Sequence, residues 1–114
     1  MSILDHGHLV DELEQQLGLS VMTIAQALDV DRRTVERWHA NKSVPQGKTR
    51  TRLAELIGLR DYMLDLFGSV ATAQDWLTTP STYLGGFTPE EALRAGRIDR
   101  VRADLDGLAA GIYL

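Results

Sequence analysis

The sequence contains no cysteine among its 114 residues. This excludes disulfide bonds, zinc sites built from thiolates and a cysteine nucleophile, and it fits a reducing compartment. No run approaches the roughly 18 apolar residues that a membrane-spanning helix needs. The first residues, MSILDHGHLVDELEQ, become acidic too early for a signal peptide. We therefore expect a cytoplasmic protein without a membrane partner.

The sequence also lacks the patterns of common catalytic and metal sites. It has neither a glycine loop that would cradle a phosphate nor a nucleophile motif. His6 and His8 have no further ligands at a useful spacing, since His39 is distant in sequence. Exposed helical surfaces and helix N-termini explain the carboxylate pairs at 90–91 and 104–106. We predict no catalytic residues, no metal and no cofactor.

Apolar residues recur at helical spacing, and no segment alternates with period two. The fold class is therefore all-α, either one compact domain or two small helical units that share a core. We divide the chain into a helix-turn-helix unit (1–46), a connecting helix (47–69) and a C-terminal helical unit (70–114). The pattern predicts helices at about 7–17, 20–28, 32–41, 48–66, 71–77, 88–95 and 98–110.

The helix-turn-helix follows from five positions in the first half of the chain. Ala25 is small, which lets the third helix cross closely, while Val35 and Trp38 anchor that helix. Val30 fills the corner. Asp29 precedes it where glycine is frequent, and aspartate tolerates the left-handed conformation expected there.

Positive charge gathers between Arg32 and Arg60, where eight basic residues stand against two acidic ones, although the whole chain has a net charge of -4. Arginines on the outward face of the third helix can bond to guanine, and neighbouring lysines and threonine can bind phosphate. A single unit offers few contacts, so DNA binding would need a dimer or a larger assembly. The predicted DNA contacts are Arg32, Arg33, Thr34, Arg37, Asn41, Lys42 and Lys48.

Two alternatives to DNA binding stay open for this basic segment. Helical bundles commonly display solvated arginines that bind nothing. The segment can also serve assembly by contacting acidic surfaces of other subunits.

The C-terminal part is rich in fixed turns. Gly85 and Gly86 permit backbone conformations closed to other residues. Thr88 can cap a helix, Pro89 suits its first position, and Glu91 can complete a capping box. A helix–helix corner without a direct role is the alternative to a functional turn.

This turn-rich stretch resembles the C-terminal toxin-binding domain of Xre/MbcA/ParS antitoxins, in which a helix-turn-helix likewise comes first. The resemblance covers about residue 9 to the end. Phe87 stands where the family tolerates several residues, and we expect it to serve core or interface packing. The motif residues are Trp76, Leu77, Pro80, Leu84, Gly85, Gly86, Thr88, Pro89, Ala92, Leu93, Gly96 and Gly111.

The resemblance implies a partner: a RES-domain toxin that destroys NAD and is encoded beside the antitoxin. The toxin would supply the chemistry, and this chain would block its NAD pocket, alone or while repressing its own operon. We expect a homo-oligomer or a hetero-oligomer with the toxin. The implied toxin contacts are Leu84, Gly85, Gly86, Thr88, Pro89, Leu93, Arg97, Arg100, Gly111, Ile112, Tyr113 and Leu114.

The last four of these residues form a short tail that suits a plug. Its apolar side chains can fill an apolar pocket, and a terminal carboxylate can meet cations that would otherwise bind phosphate. The alternative is that Ile112 and Leu114 fold back onto the bundle. A broader alternative is a stand-alone transcriptional regulator whose C-terminal part only oligomerises.

Overall fold

The computed structural model describes residues 6–111, and in that range the protein consists of seven α-helices without a β-strand. The predicted all-α fold is confirmed. The helices are α1 (His6–Leu17), α2 (Val21–Leu28), α3 (Arg32–His39), α4 (Gly47–Phe67), α5 (Val70–Leu77), α6 (Pro89–Arg94) and α7 (Ile98–Ala109).

Helices α1 to α3 form the helix-turn-helix unit that the apolar pattern predicts. Ser20 caps α2, because its hydroxyl accepts a hydrogen bond from the Thr23 amide at 3.1 Å. Ala25, Val35 and Trp38 are at most 2% exposed. Helix α3 packs against both α1 and α2. The inward side of α3 is thus fixed, and its opposite side faces solvent.

The corner between α2 and α3 has the conformation expected from the sequence. Asp29 is left-handed, with φ 58° and ψ 48°. The Val30 amide donates to the Ala25 carbonyl at 3.0 Å, and the Asp29 amide donates to the Gln26 carbonyl at 3.2 Å. Together these bonds form a Schellman motif, which ends α2 and redirects the chain into α3.

The end of α3 comes earlier than the sequence predicts. The pattern extends the helix to about Asn41, but it ends at His39. Asn41 has a left-handed φ of 58°, and its amide donates to the Trp38 carbonyl at 3.0 Å. The Lys42 amide donates to the Arg37 carbonyl at 2.8 Å. Asn41 therefore terminates the helix, in the role that glycine usually takes.

The start of α3 lacks the side-chain cap that an aspartate before a helix often provides. Asp31 occupies the N-cap position, but its side chain makes no capping hydrogen bond. The Thr34 amide instead donates to the backbone carbonyl of Asp31 at 3.0 Å. The first turn of α3 is therefore closed by the backbone.

One continuous apolar core joins the two halves of the chain. It extends from Val10 in α1 through Leu56 in α4 to Leu105 in α7. Helix α2 packs against α6, and α1 packs against α5. The C-terminal helices therefore complete the core of the helix-turn-helix unit. The divisions after residues 46 and 69 stay predictions about where the motifs separate.

Candidate functional site

The exposed side of α3 carries most of the residues predicted to contact DNA. Arg32, Arg33 and Arg37 are exposed, whereas Thr34 is half-buried. The remaining predicted contacts are also exposed and follow the helix: Asn41, Lys42 and Lys48. Six of the seven predicted contacts are therefore exposed to solvent.

Part of the positive charge in this segment is already paired within the chain. The Arg32 Nε lies 2.8 Å from Glu36 Oε1 on the surface of α3. Arg60 is buried, and its guanidinium binds Glu12 at 2.6 Å and Asp61 at 3.0 Å. The exposed basic surface is therefore smaller than the composition of segment 32–60 indicates.

The histidine and carboxylate positions give no metal site in the part of the chain that the structure describes. His39 Nε2 instead lies 2.7 Å from Asp11 Oδ1, which ties the end of α3 to α1. His8 lies 3.1 Å from Glu12. Among the described helices, none is both long and apolar enough to cross a bilayer.

The turn before α6 closes through its own backbone. Gly85 and Gly86 have φ values of 72° and 93°, which residues with a Cβ rarely adopt. The Gly86 amide donates to the Ser81 carbonyl at 2.8 Å, and the Ser81 amide donates to the Phe87 carbonyl at 2.9 Å. The closed turn projects Phe87 into solvent, where this residue is 60% exposed.

Helix α6 begins with the predicted capping box. The Thr88 hydroxyl accepts from the Glu91 amide at 3.0 Å, and Glu91 Oε1 accepts from the Thr88 amide at 2.9 Å. The hydrogen bond from the Thr88 amide is the main cause that lowers the pKa of the Glu91 carboxyl. Pro89 and Leu93 are buried. Those two residues hold α6 in place and do not offer an exposed surface themselves.

A groove of about 550 Å³ lies between the turn, α6 and the start of α7. We name it the arginine-rimmed groove. Its apolar lining comes from Leu84, Phe87, Ala92 and Ala95, and its charged lining comes from Glu91, Arg94, Arg97 and Arg100. The fold thus brings together Leu84, Arg97 and Arg100, three of the predicted toxin contacts.

Several members of this groove have no binding role in the predictions from the sequence. The sequence does not decide between core and interface for Phe87, and it does not single out Arg94 or Ala95. A usable signal is nevertheless present, because Leu93 is the inward residue of α6 and its neighbours at 91, 94 and 95 must then face outward.

The arginines of the groove differ in how they are paired. Arg97 forms a two-bond pair with Asp99, at 3.0 and 2.9 Å, which raises the pKa of the Arg97 guanidinium and lowers the pKa of the Asp99 carboxyl. Arg94 lies 3.2 Å from Glu90. Arg100 stacks over the Tyr83 ring at 5.2 Å and takes part in no ion pair within residues 6–111. The rim therefore keeps positive charge available at Arg100.

Asp104 corrects one prediction from the sequence. The pattern places its carboxylate on a helical surface, but Asp104 is 2% exposed and accepts a hydrogen bond from the Ser81 hydroxyl at 2.7 Å. The prediction is wrong because helical position alone does not reveal that the turn folds back over α7. The bond fixes the base of the turn that carries Leu84 and Phe87.

The predicted tail lies mostly outside the described residues. Ile112, Tyr113 and Leu114 are among the residues that the structure does not describe. Gly111 is the last described residue, and its amide donates to the Leu108 carbonyl at 3.1 Å just after α7. The plug therefore stays a prediction.

The fold defines an all-α protein with an N-terminal helix-turn-helix unit and a surface groove among its C-terminal helices. The family model described as "Antitoxin Xre/MbcA/ParS C-terminal toxin-binding domain" matches residues 64–111. A homeodomain-like domain matches residues 7–43.

Individual relatives match most of the chain. The mycobacterial cidal antitoxin MbcA of Mycobacterium tuberculosis is 30% identical over 100 residues, which are 88% of each chain, and the protein of the same name from Mycobacterium bovis matches equally. A chain in the crystal structure of the M. tuberculosis MbcT–MbcA toxin–antitoxin complex superimposes with a TM-score of 0.69 and 28% identity, covering all of both chains. The present chain belongs to the Xre/MbcA/ParS antitoxin family.

Proposed function

We propose that this chain binds a RES-domain toxin encoded beside it and blocks the active site with which the toxin degrades NAD. One observation carries the proposal: the arginine-rimmed groove lies entirely within the region, residues 64–111, that matches a toxin-binding domain. The chain's likeness to one protein of a toxin–antitoxin complex along its whole length supports the same assignment.

Within this proposal, exposed and buried residues of the predicted site have different roles. Gly85, Gly86, Arg97 and Arg100 are exposed and can touch the toxin directly. Leu84, Pro89 and Leu93 are buried and shape the face from below, and Thr88 caps α6. The tail at 111–114 would reach the NAD pocket, where its apolar side chains exclude the substrate.

Co-expression with the adjacent reading frame tests the function. We expect a complex that co-purifies and consumes no NAD, whereas the separated toxin consumes it. Absence of a complex, or a neighbour that leaves NAD intact, would contradict the proposal and favour a stand-alone regulator. A chain truncated after Ala110 tests the tail separately. Full inhibition of the toxin by this truncated chain would exclude the plug and would leave the antitoxin function unaffected.

We also propose binding of operator DNA, with repression of the chain's own operon. The observation that favours it is the exposed arginine face of α3 in a region that matches a homeodomain-like domain. In such units the N-terminal residues of the recognition helix, which is α3 here, meet base edges in the major groove. Binding requires more than one copy, so oligomers or complexes with the toxin are the DNA-binding form.

Arginine and lysine variants separate base reading from phosphate binding. Replacing Arg32, Arg33 and Arg37 by alanine should abolish sequence preference in footprinting. Replacing Lys42 by alanine should weaken binding to all sequences alike and reduce the salt slope by about one for each bound copy. An unchanged footprint in the triple variant would exclude α3 as the helix that recognises the DNA sequence.

A further inference from the structure

We propose that the arginine-rimmed groove receives a segment of the toxin that places a large apolar side chain next to a carboxylate. The inference rests on the proposed function and specifies the chemistry of the partner at this site. Its basis is the combination of an apolar floor, a projecting aromatic ring and an incompletely paired positive rim.

The apolar part of the groove fits one inserted side chain. Leu84 is 8% exposed and lies at the floor, whereas Phe87 is 60% exposed and stands at the edge. Ala92 and Ala95 also line the groove, and their small side chains leave space in it for a partner's side chain. Aromatic residues are enriched among the contacts that dominate binding energy at protein interfaces. An apolar side chain from a partner would bury both Phe87 and the floor.

The charge around the groove favours an acidic neighbour to that side chain. The Glu91 carboxylate is held by the Thr88 amide, and Arg94 and Arg97 each hold an acidic residue of this chain. The Arg97 pair uses Nε and Nη2, so Nη1 takes no part in it.

Arg100 is the arginine of the rim with the most positive charge left to offer. Its guanidinium stacks on the Tyr83 ring, and no carboxylate within residues 6–111 forms an ion pair with it. In a chain of net charge -4, this positive rim selects for a carboxylate on the partner.

The toxin fits these features better than a second copy of the chain. A copy could offer Leu66, 36% exposed beside the exposed Asp65 at the end of α4. That pair lies on a convex helix surface. A closed dimer would need its contact with the groove twice, once in each direction about a two-fold axis, and a single contact would instead extend into a ring or an open chain. A toxin segment has no such constraint.

Two groove variants of the full-length chain, each with a matched control, test the inference against the purified toxin. Phe87→Ala removes the ring, and Val44→Ala removes a similarly exposed apolar side chain from the segment after α3. Arg100→Glu reverses a groove charge, and Arg50→Glu reverses a charge on the exposed surface of α4. Affinity and association rate are measured at low and high salt, and sedimentation of the free chain measures self-association.

We expect Phe87→Ala to weaken toxin binding by about thirtyfold, which corresponds to the loss of one aromatic anchor at an interface. Arg100→Glu should slow association and flatten its dependence on salt. Both controls should bind like the wild type. Changing one acidic residue of the toxin to lysine should restore binding to Arg100→Glu, which identifies the partner carboxylate.

The possible failures are distinguishable. A wild-type chain that does not bind the toxin would overturn both the proposed function and this inference. Wild-type binding together with unaffected groove variants would overturn the inference alone. Loss of self-association in the groove variants, with toxin binding unchanged, would overturn it in favour of a second copy as the occupant.

Discussion

The helix-turn-helix unit and the arginine-rimmed groove are held by different interactions. The position of α3 depends on burial of Val35 and Trp38 in the shared core. The groove depends on side-chain hydrogen bonds, namely the Ser81–Asp104 bond and the capping box of α6. Helix α3 should therefore tolerate changes among its exposed residues, whereas the groove should be sensitive to single polar atoms.

The largest expected effect tests whether the two regions fold together. Trp38→Ala should lower the free energy of unfolding by about 3–5 kcal/mol, because it removes the largest fully buried side chain. The chain has two tryptophans, so Trp76 then reports on the C-terminal half alone. We expect its fluorescence and the far-ultraviolet circular dichroism to change in one transition. Two separate transitions, in which the Trp76 fluorescence changes only after part of the helical signal is lost, would show that the core is divided.

The second prediction concerns the bond beneath the turn. Asp104→Ala should cost about 1–3 kcal/mol of stability, because the Ser81 hydroxyl loses its partner in a partly buried setting. The matched control is Asp106→Ala, since Asp106 is exposed and bonds to the Tyr62 hydroxyl at 2.8 Å. Thermal unfolding and amide exchange at Gly86 measure the difference. Equal behaviour of the two variants would contradict the role given to Asp104.

Two glycines should respond to alanine with opposite signs. Gly86→Ala should destabilise by about 1–2 kcal/mol, since φ is 93° there although space for a Cβ exists. Gly58→Ala should stabilise by roughly 0.5–1 kcal/mol, because Gly58 lies inside α4 and a Cβ meets nothing within 4 Å. Chemical denaturation of both variants measures the two changes in the free energy of unfolding. Stabilisation by Gly86→Ala would mean that the turn does not need its left-handed glycine.

The smallest expected effect is a pH dependence of the capping box. The pKa of Glu91 is lowered in the folded protein, chiefly by the Thr88 amide. Its contribution to stability is therefore present above the usual carboxyl range and is lost as the pH falls through the lowered pKa. The stability difference between wild type and Glu91→Gln should shrink in acid. A difference that stays constant with pH would exclude this linkage.

Periodic and capping signals predict much of this molecule. The inward residues of α2 and α3, the left-handed Asp29 and the capping box are all visible in the sequence, because each follows from local spacing or from the chemistry of one residue. The early end of α3 is not visible, because Asn41 adopts a conformation more typical of glycine.

Long-range contacts are beyond the reach of sequence patterns. The pairing of Arg60 with Glu12 and of Asp104 with Ser81 joins residues 48 and 23 positions apart. Neither pair follows from local spacing. Composition alone therefore counts Arg60 as part of the basic surface, although it is buried. Helical position alone likewise places Asp104 on the surface, although it too is buried. The groove itself is predictable only in part, because its walls come from three separate elements.

Amide hydrogen exchange of the chain, alone and bound to its toxin, shows which of the two regions is the toxin face. We predict that the toxin slows exchange in the turn at 81–87, in α6 and at the start of α7, and leaves α3 unchanged. Slower exchange centred on α3, with the turn and α6 unaffected, would contradict the assignment of the groove and place the toxin on the helix-turn-helix unit.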